Sequence, residues 1–210
     1  MEQPTARQPF LERTIYQTGS QPSDIVVKTY FPTASVPGGA MSNILDCIPI
    51  GEQVDFQGPT GRIVYQGQGN FEIEGKQNTF RKISLVLGGS GITPGYALIA
   101  RVVATADEDV EVRVVDSNKT EKDVLLREQL DHFERTSGGR VRIAHVLSHP
   151  KESWGGFRGH VEGRIIKESL FPPENDSVAF LCGPPGMIQK AALPALREWG
   201  YVEDENLFGF

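Results

Sequence analysis

The chain has 210 residues, room for one large domain or two small ones, and its 39% hydrophobic and 23% charged content is that of a globular protein, not a disordered one. A formal net charge of −6 speaks against a nucleic-acid partner, which needs a basic footprint, and no apolar run is long enough to span a bilayer. Two cysteines, Cys47 and Cys182, argue against a disulfide scaffold, and His132, His145, His149 and His160 lack paired-ligand spacing for a metal; with no apolar signal core at the amino terminus, a cytoplasmic protein is expected.

The first 80 residues have the texture of antiparallel strands. "DIVVKTYF", "EQVDFQGPTGRIVYQG" and "NFEIEG" are short β-branched and aromatic runs cut by Gly-Pro and glycine-rich turns. One short helix is predicted at "MSNILDCI", with Ser42 or Asn43 as its cap. From Lys82 the period changes. "KISLVL" reads as a strand and "PGYALIARVVATA" as a helix; "DVEVRVVD" is a second strand, and "TEKDVLLREQLDHFER" an amphipathic helix opening at Thr120. "GRVRIAHVL", a helix around "VEGRIIKESL", the strand "DSVAFLC" and the helix "PPGMIQKAALPALREWG" complete the alternation, with "NLFGF" as a final short strand. Pro194 is expected to kink or divide the last helix.

Strands alternating with helices predict a parallel sheet covered on both faces, an α/β class that binds ligands at the carboxyl ends of its strands. Two domains are expected, a β-rich one over 1–80 and a nucleotide-binding α/β one over 81–210.

Three stretches carry chemistry. Gly89, Gly91 and Pro94 form G-x-G-x-x-P between the first strand of the α/β part and its helix, the setting in which backbone N–H groups face a pyrophosphate. Alone, the pattern is equally an ordinary turn. "FLCGPPGM" ends a later strand: Gly183 lets the chain leave the sheet and Pro184 and Pro185 stiffen the exit. Cys182 by itself reads as a buried structural thiol; beside the glycine loop, two backbone-permissive exits on one edge make a ligand cleft the better reading. In "VPGGAMSNIL", Gly38 and Gly39 precede a short helix bearing Ser42, which is either a second anion site or a plain connection.

In this order the stretches resemble the flavoprotein family of cytochrome b5 reductases and the flavin module of eukaryotic nitrate reductases. "VVKTYF…GGAMSNIL", "GPTGRIVYQGQGNF", "GGSGITP", "SNKTEKDVLLREQL", "CGPPGMIQKAALPAL" and "LFGF" carry the likeness, from about Asp24 to Phe210. Within the family, "ESWGGFRGHVEGRIIKESL" and the Asp-x-Asn of "VVDSNKTEKD" look more like the nitrate reductase modules. The resemblance implies a partial flavin-type β-barrel followed by the NAD(P)H domain, hydride transfer from NADH or NADPH to FAD, and electrons passed on to a haem protein or haem domain. It implies catalytic positions at Cys182 and Thr93, the thiol orienting and not attacking. Gly88, Gly89, Gly91, Thr93 and Pro94 would approach the nicotinamide nucleotide, and Cys182, Gly183, Pro184, Pro185 and Met187 would line its pocket. Gly38, Gly39, Met41 and Ser42 would hold the FAD pyrophosphate, Asp116, Asn118 and Asp123 would lie near the adenine ribose, and Phe210 near the cleft. Acidic groups at the ribose favour NADH, but Lys119 and Lys122 stand close enough in sequence to offset them.

The departures fall at the flavin. The family's Arg-x-Tyr segment is matched only by Arg13 and Tyr16, three apart, a spacing that would point them to opposite sides of a strand. Ala40 replaces a lysine after the two glycines, and Gly95 replaces a bulkier apolar residue, leaving a less packed first helical turn at a cost of about 1 kcal/mol against alanine. Few residues precede Arg13, so a barrel shortened at the amino terminus is expected. The alternative reading is a nucleotide-binding, catalytically impaired fragment acting as an interaction or regulatory module.

Overall fold

The structure is a computed structural model that describes residues 10–15, 23–55, 61–105 and 109–210. Contacts divide the chain into two compact units, Met1–Gly58 and Pro59–Phe210.

In the first unit, β1 (Phe10–Ile15) and β2 (Ser23–Lys28) pair antiparallel, with Arg13 opposite Ile25. Tyr16 lies outside the described residues, so the Arg13–Tyr16 spacing has no structural counterpart here. Helix α1 (Ala40–Cys47) forms where the sequence predicts it, but neither Ser42 nor Asn43 caps it. Gly39 is the N-cap, and the two side chains fold back instead. Ser42 Oγ donates to Gly39 O at 3.1 Å and accepts the Tyr30 N–H at 3.2 Å, while Asn43 Nδ2 donates to the carbonyls of Tyr30 and Gly39.

The second unit begins with a three-stranded antiparallel sheet, β3 (Ile63–Gly67), β4 (Asn70–Ile73) and β5 (Lys76–Thr79). Its alternation buries Phe71 and Ile73. The Phe71 ring lies 4.7 Å from Tyr65 and 5.4 Å from Phe180 of the main sheet, so the hairpins pack by aromatic contact onto the parallel sheet.

That sheet has six parallel strands in the order β11-β10-β6-β7-β8-β9: β6 (Lys82–Gly88), β7 (Glu111–Asn118), β8 (Val141–Leu147), β9 (Phe157–Arg158), β10 (Ser177–Cys182) and β11 (Leu207–Gly209). Near-continuous apolar runs in β6 and β10 bury both faces, as a covered parallel sheet requires. Helices α2 (Ile92–Ala104) and α3 (Arg127–Thr136) pack together, α2 against β6 and α3 against β8. Helix α4 (Gly163–Ser169) and the carboxyl-terminal helical stretch share a core with Val86, Val115, Val146 and Leu181. The chain starts at β6, winds outward through β7 to β9, then returns to β10 on the other side of β6. The carboxyl ends of β6 and β10 are therefore the topological switch point.

Two local expectations are revised, and a third, the divided last helix, holds. The helix predicted from Thr120 is interrupted: a 3₁₀ turn at Glu121–Asp123 precedes α3, because the Asp123 carboxylate accepts from the Thr120 N–H and hydroxyl at 3.1 and 2.8 Å and closes a capping box. Val124 and Leu125 then dive into the core, and Leu126 takes φ 55° before α3 begins. At Pro194 the strain is met by a wide turn. Pro185–Met187 (α5), a π turn at Ile188–Ala192 and Leu193–Trp199 (α6) run on from one another, and the π turn relieves the carbonyl that a proline ring would strike four residues back.

Gly95 is the second revision. It is buried, and a Cβ there would lie 2.3 Å from Leu87 Cδ1, in a side chain with no exposed surface. The glycine lets α2 lie closely on β6, so the turn is more tightly packed for having it, not less. Two effects of Gly95→Ala then oppose each other: helix propensity gains about 1 kcal/mol, and overpacking costs about 1–3 kcal/mol. Overpacking is expected to win, lowering Tm by a few degrees in calorimetry. A rise in Tm would show that Leu87 yields without cost.

Candidate functional site

At the switch point, β6 ends at Gly88 and the chain turns through Gly89–Gly91 into α2, with Gly89 at φ 54°. This turn sits directly on the exit of β10. A Cβ on Gly91 would come within 2.3 Å of the Cys182 carbonyl oxygen, and one on Gly183 within 3.0 Å of the Gly88 nitrogen. No side chain fits at Gly91, and one at Gly183 would crowd the Gly88 backbone, so the two backbones meet. No side chain caps α2 and its first turn holds no acidic residue; the Gly89–Gly91 turn runs into the helix, the Ile92 N–H being bonded to the Gly89 and Ser90 carbonyls, so the positive end of the dipole opens at the glycine turn. Thr93 is exposed and donates to Ser90 O at 3.1 Å, and Pro94 contributes no N–H. A polyanionic, backbone-hugging ligand such as a dinucleotide pyrophosphate fits this cradle.

Cys182, paired with Leu87 at the strand ends, is half-buried, and burial pushes its thiol above the ordinary range. It is a neutral packing group at neutral pH, not a poised thiolate. Pro184 and Pro185 are exposed beyond it, and Met187 turns back beneath the exit. The Phe210 N–H donates to Leu181 O at 3.1 Å and its ring lies 5.2 Å from that of Phe180, which brings the last residue to the same edge. Gly88, Gly89, Gly91, Thr93, Pro94, Cys182, Gly183 and Phe210 thus converge on one edge, as the sequence expectation requires.

The acidic group near the β7 exit is arranged differently from its sequence picture. Asp116 is 1% exposed, and its carboxylate faces inward to His145 Nδ1 at 2.9 Å, its register partner on β8. Asn118 Nδ2 donates to both carboxylate oxygens at 3.0 Å, and its own Oδ1 is buried without a partner. His145 contacts the edge of Trp154, over which the Arg127 guanidinium stacks at 5.5 Å. Asp123 is held by Thr120 in its capping box. Sequence reasoning passed over His145, because the pairing joins residues 29 apart through strand register alone. Asn118 is the member of this group with unused hydrogen-bonding capacity, an acceptor waiting for a hydroxyl or N–H donor.

In the first unit, Gly38 and Gly39 pack against Tyr30: a Cβ on Gly38 would meet Tyr30 O at 2.6 Å, and one on Gly39 would meet Ser42 Oγ at 2.7 Å. The amino end of α1 is also free of side-chain caps and acidic residues, and Met41 is exposed beside it. Ser42 is nearly buried and its hydroxyl is already committed, so it braces the loop while the helix N–H groups stay open. This end too suits a phosphate.

Comparison with known proteins agrees with this geometry. The oxidoreductase NAD-binding domain matches residues 85–192, just over half the chain, and the oxidoreductase FAD-binding domain matches residues 14–65. The chain is 38% identical over 196 residues to NADH-cytochrome b5 reductase 2 of Danio rerio, covering 89% of this chain and 63% of that protein. It is 38% identical over 191 residues to nitrate reductase [NADH] 1 of Arabidopsis thaliana, covering 89% of this chain and 21% of that one. It therefore spans less than two thirds of the first relative and about a fifth of the second. Among solved structures, the cytochrome b5 reductase domain of Ulva prolifera nitrate reductase superposes with a TM-score of 0.86 at 25% identity, over 96% of this chain and 82% of that one. With its parallel sheet, its glycine cradle at the switch point and a domain match across more than half its length, the chain belongs to the oxidoreductase NAD-binding domain family.

Proposed function

We propose that the chain is an NAD(P)H-dependent flavoprotein oxidoreductase module that takes hydride from NADH or NADPH onto FAD and passes electrons to a haem protein or haem domain. The observation that carries this reading is the switch-point cradle, where Gly91 admits no Cβ against the Cys182 carbonyl and no side chain caps α2. The matched NAD- and FAD-binding domains and the relatives named above support it. When bound, the nicotinamide supplies the hydride and the flavin divides it into single electrons for a one-electron acceptor.

The chain's own residues bind and orient. Gly88, Gly89 and Gly91 present backbone to the nucleotide, with Thr93 and Pro94 forming the first helical turn beside it. Cys182, held protonated by burial, packs against the nicotinamide, with Gly183, Pro184 and Pro185 shaping the wall. Asn118, oriented by Asp116 and His145, stands at the β7 exit on the ribose side of the seat. Gly38, Gly39, Met41 and Ser42 form the seat for the FAD pyrophosphate, with Ala40 supplying no cation there. Action in the cytoplasm belongs to the same reading, supported by the two free cysteines. Among the described residues no helix is long and apolar enough to cross a membrane.

Protein purified with FAD and desalted is expected to retain flavin absorbance that bleaches on anaerobic addition of NADH or NADPH. A protein that stays colourless after reconstitution overturns the reading; if calorimetry then still detects NADH, the nucleotide-binding interaction module is the correct description. Cys182→Ser is expected to keep its flavin and to slow bleaching by roughly tenfold, since a misplaced nicotinamide costs rate steeply, whereas losing a true nucleophile costs roughly a millionfold. A loss of that larger size would assign the thiol to covalent chemistry.

The thiols give a pH test. The thiolate is the reactive form, and burial raises the Cys182 pKa, so little thiolate exists near neutrality. Iodoacetamide at pH 7.5 is expected to label exposed Cys47 first, with Cys182 labelled appreciably only at a pH well above the ordinary thiol range, as read by peptide mass spectrometry. Preferential labelling of Cys182 at pH 7.5 would contradict the packing role.

A further inference from the structure

Glycines let the two strand exits meet, but they have no side chains to set the distance between them. Gly88 and Gly183 lie side by side, and a Cβ on Gly183 would fall 3.0 Å from the Gly88 nitrogen and 3.2 Å from its Cα. The space beside Gly183 is filled by Met187, and that beside Gly88 by Met187 together with Pro184, whose Cδ would lie 2.9 Å from a Cβ there. A Cβ on Gly88 would come within 2.9 Å of Met187 Cε and Sδ, and a Cβ on Gly183 within 2.8 Å of Met187 Cε. The thioether end of Met187 therefore stands where two missing side chains would be.

The local backbone aims it there. The Met187 N–H donates to Pro184 O at 2.9 Å in a tight turn that brings the side chain back toward the sheet. Met187 also packs against the core of Val86, Leu181 and Ala192, so its position is tied to strand packing. The π turn that follows keeps this orientation compatible with the rest of the helix. Met187, Ala192 and Leu196 are spaced five and then four residues apart, and in a regular α-helix the five-residue step would swing Met187 about 140° off the shared face. A π turn absorbs the extra residue, and such bulges gather at functional sites.

We propose that Met187 is a positioning residue. Its thioether is the spacer that sets the separation between the Gly88–Gly91 turn and the Cys182–Gly183 exit, and so the width of the nicotinamide nucleotide's seat. An unbranched side chain with three rotatable bonds and a polarizable sulfur suits a wedge between two bare backbones. The inference rests on the proposed function only for the identity of the ligand.

The test is calorimetric titration of the flavin-free full chain with NADH, for wild type, Met187→Ala, Met187→Leu and Leu196→Ala, alongside each variant's Tm. Met187→Ala weakens NADH binding on the order of tenfold, because the seat is no longer preorganised, and Met187→Leu, close in volume, stays within about threefold of wild type. Leu196→Ala empties a fully buried site in the same core; it lowers Tm and leaves the NADH Kd unchanged. Wild-type affinity in Met187→Ala, or equal weakening in Leu196→Ala, overturns the proposal, the latter by showing that lost stability alone explains the effect. If Met187→Ala does not fold, Met187→Val carries the same expectation at smaller amplitude. A wild type that binds NADH but never bleaches flavin sinks the proposed function and leaves this measurement intact. A wild type that does not bind NADH overturns both.

Discussion

The contact between the Gly91 backbone and the Cys182 carbonyl, too close for any Cβ, organises everything that follows in the larger unit. It can form only because the sheet brings β6 and β10 together as neighbours after the chain has wound away through β7, β8 and β9. Once the two exits touch, the amino end of α2 is fixed over the sheet edge with no side chain capping it. Gly95 then seats the helix against Leu87, and the aromatic ladder of Phe71, Phe180 and Phe210 ties the antiparallel hairpins and the chain end to the same strand. Site and scaffold are one packing problem here: the residues that leave room for a ligand also let the elements approach.

The polar group at the β7 exit follows a different logic. Asp116 is so deeply buried that it needs partners, and it finds three hydrogen bonds, one with His145 and two from Asn118. Spending the carboxylate internally changes its meaning. It no longer presents charge to a ligand; it fixes an amide whose buried oxygen has no hydrogen-bond partner. The stack of Arg127 on Trp154 against His145 holds the group from outside. A buried network of this kind specifies one arrangement, because any half-made version leaves polar groups unsatisfied.

The carboxyl-terminal helical stretch shows how a local conflict is turned to use. Pro194 and the apolar spacing of Met187, Ala192 and Leu196 are both incompatible with a regular α-helix, and one π turn resolves both. The first unit makes a parallel point on a smaller scale. Ser42 and Asn43 look like caps, yet they bind the Tyr30–Gly39 segment and leave the end of α1 open.

The amino-acid sequence by itself determined the α/β class, the alternation of strands and helices from Lys82 onward except the two-residue edge strand β9, and the two glycine-bearing strand exits, because hydrophobic period and glycine–proline punctuation are local properties. It also marked Thr120 as a helix start, where the structure has a capping-box turn ahead of the helix. It could not decide which exits would meet, that Gly95 answers to Leu87, that Asp116 belongs to His145, or that Met187 fills the space beside Gly88 and Gly183. Each of these depends on strand order or register, which couples residues from 8 to about 100 positions apart through packing that no local pattern encodes. Only the tertiary structure decided them, because steric exclusion and the pairing of buried polar groups act between neighbours in space.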